Sequence, residues 1–272
     1  MRRLCRVLGV SASGYYAWVQ RPPAPRDQRD RCVRIHLRAS HAASRGTYGS
    51  PRLLRDLRHQ GFCIGRNRVM RLMRIEQLTG RPRRRFRVTT TVDPQAPVAR
   101  NHLAQHFMRR RLNDVWAGDI TALPTREGFV YLAVLLDLCS RRVIGWAVDA
   151  RLETRLVVAA WRHAVGRRGE PPRVHHSDRG VQYTSAGYQA ELRRYHVLCS
   201  MSGRGNCFDN AVVESFFGTL KTDLDHCVWP TRRQATEAIS DYIERFYNTR
   251  RLHSSLDYRS PAQFEAARRG AA

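Results

Sequence analysis

An aspartate stands inside a segment that otherwise reads as a buried β-strand, Val115-Trp116-Ala117-Gly118-Asp119-Ile120-Thr121. A carboxylate in an apolar strand is costly unless it is paired or binds a cation, so any fold around it must supply that compensation. Two further acids are placed to do so. Asp178 ends a second strand-like run, in His176-Ser177-Asp178-Arg179-Gly180, and Glu214 lies one turn into an expected helix, in Asp209-Asn210-Ala211-Val212-Val213-Glu214-Ser215-Phe216-Phe217. Two strand carboxylates and one from a neighbouring helix can hold two divalent ions ~4 Å apart. An oxygen-only ligand set favours Mg²⁺ or Mn²⁺ over zinc.

The pattern around these acids is α/β. β-branched and aromatic content predicts strands over 115–121, 129–136 and 143–148, joined as an antiparallel meander, with Asp137 capping the turn that leads to Arg141. A helix over 153–165, a strand over 173–177, a helix over 186–195 and a strand over 197–201 follow, then a helix over 210–221. The result is a mixed sheet of five strands flanked by helices. A last long helix is expected over 231–248, and Pro261 opens a short one. On the 210–221 helix, Val212, Val213, Phe216, Phe217 and Leu220 form one apolar arc. Ala211, Glu214, Gly218 and Lys221 cluster on the opposite side, where small residues at 211 and 218 leave room for a ligand to approach Glu214.

The first ~80 residues have a different character. Leu4, Val7, Leu8 and Val10 make a short apolar stripe, and Ser13 is placed to cap a second short helix through Tyr15, Tyr16 and Trp18, ended by Pro22, Pro23 and Pro25. A long helix is expected over 26–40. Ser50-Pro51 reads as N-cap and first helical residue, Leu53, Leu54 and Leu57 as its buried face, and Gly61 as its left-handed stop. After Gly65 comes an Arg-studded amphipathic stretch over 66–74. Helix, glycine turn and basic helix make a helix-turn-helix arrangement whose second helix would present Arg66, Arg68 and Arg71 to a major groove; the alternative is a helical hairpin with a solvated basic face. Arg81, Arg83, Arg84, Arg85 and Arg87 crowd around Pro82 and Phe86, which reads as an extended basic arm on DNA. The expected division is a helical DNA-binding region over 1–79, a basic linker over 80–112 and a catalytic core over 113–272.

Charge supports a polyanionic partner. Lys and Arg number 48 against 23 acids, for a formal net charge of +25. Codon bias explains why Lys221 is the only lysine, but not a twofold excess of basic over acidic residues. Such a field attracts nucleic acid, where each neutralised phosphate releases counterions. The apolar run over 129–136 is far short of the ~20 residues of a membrane span, and the start leads into no apolar signal region. A soluble, cytoplasmic protein with no membrane partner is expected. Seven cysteines without a CxxC pair argue against a disulfide framework or a structural zinc site.

With 23 acids in 272 positions, an acid falls at any given offset about 8% of the time, so the flanking residues must carry specificity. Together with Leu136-Asp137-Leu138-Cys139-Ser140-Arg141-Arg142-Val143-Ile144-Gly145-Trp146 and Tyr247-Asn248-Thr249-Arg250-Arg251-Leu252-His253-Ser254-Ser255-Leu256, the three acidic segments closely resemble the DDE transposases of bacterial insertion sequences, in the superfamily that includes retroviral integrases. Thirty-five residues separate Asp178 from Glu214, the interval of the DD(35)E group. The match is to the downstream-frame product of elements that use two overlapping reading frames. The resemblance implies a ribonuclease H-like integrase core preceded by a small helix-turn-helix region, with Asp119, Asp178 and Glu214 as catalytic metal ligands. It also implies two Mg²⁺ ions replaceable by Mn²⁺, two-metal cleavage and strand transfer at element ends, and Lys221 on DNA. Terminal repeats and target DNA, further copies of the chain and the upstream-frame product are the implied partners. Two other readings stay open: a nuclease of the same fold that joins nothing, and a silent DNA-binding regulator. Asp114 and Asp149 read as surface acids, His175 and His176 as neutral core residues, and no Ser, Cys or His is placed as a covalent nucleophile.

Overall fold

Short amphipathic stripes punctuated by Pro and Gly fold the N-terminal residues into five helices: α1 (Arg2–Val7), α2 (Ala12–Gln20), α3 (Pro25–Ala43), α4 (Ser50–His59) and α5 (Arg66–Ile75). The computed structural model describes residues 1–22, 24–82, 99–107, 109–203, 207–224 and 228–270. It divides into two units, Met1–Gly80 and Arg81–Ala272. In the first, α3, α4 and α5 bury Val33, Leu37, Leu53, Leu57, Val69, Leu72 and Met73 against one another. The stripe of α1 stays outside this core: Leu4, Val7 and Leu8 are exposed, and Cys5 is the residue of α1 that is buried.

Two caps differ from expectation. Ser11, not Ser13, accepts from the Gly14 backbone at 3.2 Å and caps α2, and Ser13 instead hydrogen-bonds the Ser11 hydroxyl. Ser50 is already helical and extended Gly49 takes the cap position; Pro51 has no N–H to satisfy, so the turn can begin before it. Gly61 does follow the end of α4 in a left-handed conformation, φ 90°.

The second unit is built on β1 (Val115–Thr125), β2 (Gly128–Asp137), β3 (Val143–Asp149), β4 (Val174–Ser177) and β5 (Leu198–Met201). Among the described residues these form one five-stranded sheet in the order β3-β2-β1-β4-β5. The first three strands are an antiparallel meander, while β4 joins β1, and β5 joins β4, in parallel. Helices α6 (Thr154–Arg168), α7 (Val181–Thr184) and α8 (Ala186–Arg194) supply the crossovers, followed by α9 (Ala211–Asp223), α10 (Arg232–Asp241) and α11 (Pro261–Arg269).

Trp116, Ala133, Leu135 and Ile144 pack on Trp161, Ala160 and Ala164 of α6 and on Tyr183, Tyr188 and Leu192. Because strand side chains alternate, Ala117 and Asp119 then point to the other face of the sheet, the side of α9. The helix expected over 231–248 changes its winding: α10 ends at Asp241 and a π-helical turn runs Tyr242–Tyr247. That wider turn buries Tyr242, Ile243, Phe246 and Tyr247 together. Asp137 serves its turn as expected, fully buried and accepting from the backbone of Asn113, Cys139 and Ser140 at 2.6–2.8 Å.

Candidate active site

The parallel pairing of β1 with β4 sets Val115 against Val174, Trp116 against His175 and Ala117 against His176. Asp119 lies two residues past Ala117 in β1 and Asp178 two residues past His176, just beyond the end of β4, and the Asp178 charge acts on Asp119. Each is fixed by a local backbone donor. The Ile120 N–H donates to the Asp119 Oδ1 at 2.8 Å, and the Gly180 N–H donates to the Asp178 Oδ1 at 3.0 Å. Glu214 comes from the first turn of α9, which packs against β1. Gly118, beside Asp119, is required by close packing: a Cβ there would lie 2.9 Å from the His175 ring and 3.3 Å from the Tyr183 hydroxyl.

Asp178 acts on both of the other carboxylates. Burial first, and the Asp178 charge next, hold the Asp119 carboxyl well above the ordinary carboxylate range. Burial and Asp178 likewise push Glu214 up. Lys221, two turns beyond Glu214, is half-buried; burial lowers its pKa, against the pull of Asp119. Among the described residues, no three acidic, histidine or cysteine side chains stand close enough to share one ion. The donor set nonetheless suits a hard divalent cation in kind, since it is all carboxylate oxygen and carries a repulsion that a cation relieves.

His175 and His176 sit behind the acids as neutral core residues. Burial pushes His175 down to about 3 and His176 to about 4. His175 hydrogen-bonds the Tyr188 hydroxyl at 2.9 Å, and His176 the Ser200 hydroxyl at 2.9 Å.

Helix α9 is covered more widely than its sequence pattern indicates. Gly218 is buried rather than open, as are Thr219, Thr222 and Asp223. The reason is a second packing partner: the Phe216 ring meets Tyr247 at 4.7 Å, and Asp223 accepts from the Tyr242 hydroxyl and from Arg251, each at 2.8 Å. The side chain of Asn210 donates to the Gly118 carbonyl at 3.1 Å. Nothing in local spacing signals that contact, whose partners are far apart in the chain.

The basic residues separate into groups. Arg66 is exposed at the start of α5. Arg68 and Arg71 both pair with the buried Asp30 of α3. Burial would raise the Asp30 carboxyl, but hydrogen bonds from Arg71 and Arg68 outweigh it and hold it below its usual range. Arg81 donates to the Thr222 carbonyl at 3.4 Å. Arg83, Arg84, Arg85 and Arg87 lie outside the described residues.

An antiparallel meander extended by two parallel strands, with one acid on β1, one just beyond β4 and a third on a flanking helix, defines an integrase-type core. The chain matches the family described as "Integrase core domain" over residues 109–207 and again over 195–261, and the family described as "HTH-like domain" over 27–86. It is 42% identical over 270 residues to the transposase InsF of insertion sequence IS3A of Escherichia coli, covering 97% of this chain and 93% of the relative. It is 40% identical over 264 residues to an uncharacterized 31 kDa protein of insertion element IS600 of Shigella sonnei, covering 96% and 97%. A chain of the simian T-cell lymphotropic virus intasome aligns with a TM-score of 0.48 at 19% identity, over 79% of this chain and 73% of that one. The protein belongs to the family of transposases of IS3-type insertion sequences.

Proposed function

We propose that the chain carries out DNA transposition by cleaving the ends of its insertion element and joining them to target DNA at a single three-carboxylate site. The observation that carries the reading is the electrostatic coupling of Asp119 in β1 to Asp178, just beyond the adjacent parallel strand β4, and to Glu214 of α9. Asp119 and Asp178 would hold two divalent ions between them and Glu214 would complete the coordination of one. Mg²⁺ is the expected ion, with Mn²⁺ able to replace it. Bound there, the ions supply charge stabilisation to the attacking and leaving oxygens of a phosphodiester.

The protein's own groups do the rest. The β1–β4 pair anchors one carboxylate within β1 and the other directly after β4, so little reorganisation would accompany charge development. Lys221, on the face of α9 that carries Glu214, is assigned to a DNA phosphate close to the acids. Residues 1–79 would bind element DNA through a helix-turn-helix, with Arg66 contacting it directly and Arg68 and Arg71 shaping the helix from their places on Asp30. Residues 80–112, with Arg81, Arg83, Arg84, Arg85 and Arg87, would form a basic arm, and 113–272 the catalytic core. Because two element ends must meet, further copies of the chain are proposed partners, as is the upstream-frame product of the same element. No helix of the described residues is long and apolar enough to cross a membrane; a cytoplasmic, nucleoid-associated location is proposed.

The test is a branched DNA mimicking the strand-transfer product, incubated with purified protein and Mn²⁺ beside Asp119→Asn and Glu214→Gln. Resealing of the target strand by wild type alone supports the reading. Hydrolysis without resealing would make the protein a nuclease. If a folded wild type is as inert as both variants, even with the upstream-frame protein added, the catalytic reading falls.

A further inference from the structure

We infer that Asn210 is a positioning residue, which sets Glu214 against Asp119 by latching the start of α9 onto the Gly118 carbonyl. The inference rests on the active-site reading above and adds a residue to it.

Asn210 occupies the N-cap of α9. An asparagine there ordinarily turns its side-chain oxygen back to accept from the second or third helical N–H. Asn210 makes no such cap bond. Its Nδ2 instead donates across to the Gly118 carbonyl at 3.1 Å, and its buried Oδ1 has no hydrogen-bond partner among the described residues. Both features run against local stability, since the helix loses a cap and a buried acceptor goes unmet. Local rules are most often broken in this way where geometry serves a site.

The connection is short at both ends. Gly118 precedes Asp119 directly, and Glu214 follows Asn210 by about one helical turn, ~6 Å along the axis. Asp119 and Glu214 are thus linked through one peptide unit, one hydrogen bond and one turn. The neighbouring Asp209 fastens the same turn in another direction, accepting from the Gly203 backbone at 2.7 Å and from the Asn101 side chain at 2.9 Å. The far end of α9 is anchored separately, by Asp223 to Tyr242 and Arg251. Loss of the Asn210 bond should therefore leave the helix docked while freeing its first turn to shift.

The test compares full-length wild type, Asp119→Asn, Asn210→Ala and Asn210→Ser. Serine is long enough to cap the helix but too short to reach Gly118, so it separates a helix-stabilising role from a positioning one. Each protein is examined by thermal melting, by calorimetric titration with Mn²⁺ alone, and by steady-state turnover of the branched DNA. The expected result is an Asn210→Ser protein that melts with wild type, yet binds Mn²⁺ and turns over about 10-fold or more worse. Its KM for the branch should move less than about 2-fold, because the DNA contacts are untouched. Mn²⁺ affinity and kcat both within about 2-fold of wild type in either Asn210 variant would overturn the inference. So would losses that follow melting temperature from one variant to the next, or a failure of both variants to fold, each of which makes Asn210 a folding residue. A wild type without Asp119-dependent Mn²⁺ binding would instead overturn the site reading, and this inference with it.

Discussion

Asp119 and Asp178 each lie two residues past the Ala117–His176 pair of the parallel β1–β4 register, Asp119 within β1 and Asp178 just beyond the end of β4. Side chains at matched positions of adjacent strands share one face of the sheet. The Asp178 charge raises the Asp119 carboxyl, and Glu214 on α9 adds to it. An arrangement of this kind is an electrostatic liability to the fold until something positive enters it.

That liability predicts a stability gain from an inactivating substitution. In chelator, Asp119→Asn should melt higher than wild type. The folded pKa of Asp119 is raised above its ordinary 3.8, so the folded state binds that proton more tightly. Stability from this group is present at low pH and is lost as pH rises from about 4 through the folded pKa. The amide does not titrate, so its advantage should widen with pH and then level off. Each kcal/mol gained is expected to appear as roughly 2–4 °C. Added Mn²⁺ should reverse the order by stabilising wild type alone. Melting curves from pH 4 to 8, with chelator and with Mn²⁺, test this; an advantage that narrows with pH would contradict it.

The two core histidines predict the opposite pH behaviour. His175 and His176 are pushed down to about 3 and about 4 from an ordinary 6.5. Folded, they stay neutral; unfolded, they take up protons below pH 6.5. Their stabilising contribution is therefore complete above that pH and is lost as pH falls toward the folded values. At pH 5 each imidazole should have cost about 2 kcal/mol. Carboxylates held below their usual range, such as Glu265 and Glu244, act only at lower pH. Asp119, held well above its range, instead gains stability as pH falls, so the histidine share is read as the difference between wild type and His176→Asn at each pH. Urea unfolding of the second unit at pH 7 and pH 5 measures the loss, and His176→Asn should remove its share. A change from pH 7 to pH 5 that is the same in His176→Asn as in wild type would refute the prediction.

What was legible in the amino-acid sequence was local. Strands β1 to β3 show themselves through β-branched and aromatic runs, and the acids through their flanking motifs. The rest depends on contacts between distant residues. Arg68 lies 38 positions from its partner Asp30, so an Arg-rich helix read alone looks free to face DNA. The apolar arc of α9 gives no sign of the Tyr247 ring that meets Phe216 on another side. The π-helical turn at Tyr242–Tyr247 has no composition of its own, since its width is set by what it buries. Asn210 spends its side chain on a strand ninety-two positions earlier, where a reader of local rules would place a cap.

The pairing of Arg68 and Arg71 with Asp30 separates DNA contact from folding in the first unit. Arg66 is exposed and should act through phosphate or base contact alone. Arg66→Ala is expected to weaken DNA binding and reduce the salt dependence by about one counterion, with melting unchanged. Arg68→Ala and Arg71→Ala should each lower the melting temperature as well, and Asp30→Ala more than either, because it strands two guanidinium groups. Filter binding over a salt series beside melting curves distinguishes these. Thermal stability insensitive to Asp30→Ala would show that the ion pairs do not hold the three-helix core.

The anchor at the far end of α9 predicts a strongly non-additive response. Asp223 and Arg251 are paired at 2.8 Å with side chains 2% and 7% exposed, and the Tyr242 hydroxyl donates to the same Asp223 oxygen at 2.8 Å. Removing one member leaves a buried charge unmet, so Arg251→Met should cost about 3–5 kcal/mol of stability. Tyr242→Phe deletes one donor while the ion pair survives, and should cost only about 1–2 kcal/mol. Replacing both charges, Asp223→Leu with Arg251→Met, removes the desolvation penalty together with the attraction and should recover most of the loss. Because α9 carries Glu214 at its other end, Arg251→Met should also reduce turnover of the branched DNA, and the double variant should restore it in part. A denaturation cycle over the four proteins provides the measurement. Additive costs for the two charge substitutions would mean that the pair does not act as a unit in holding the helix.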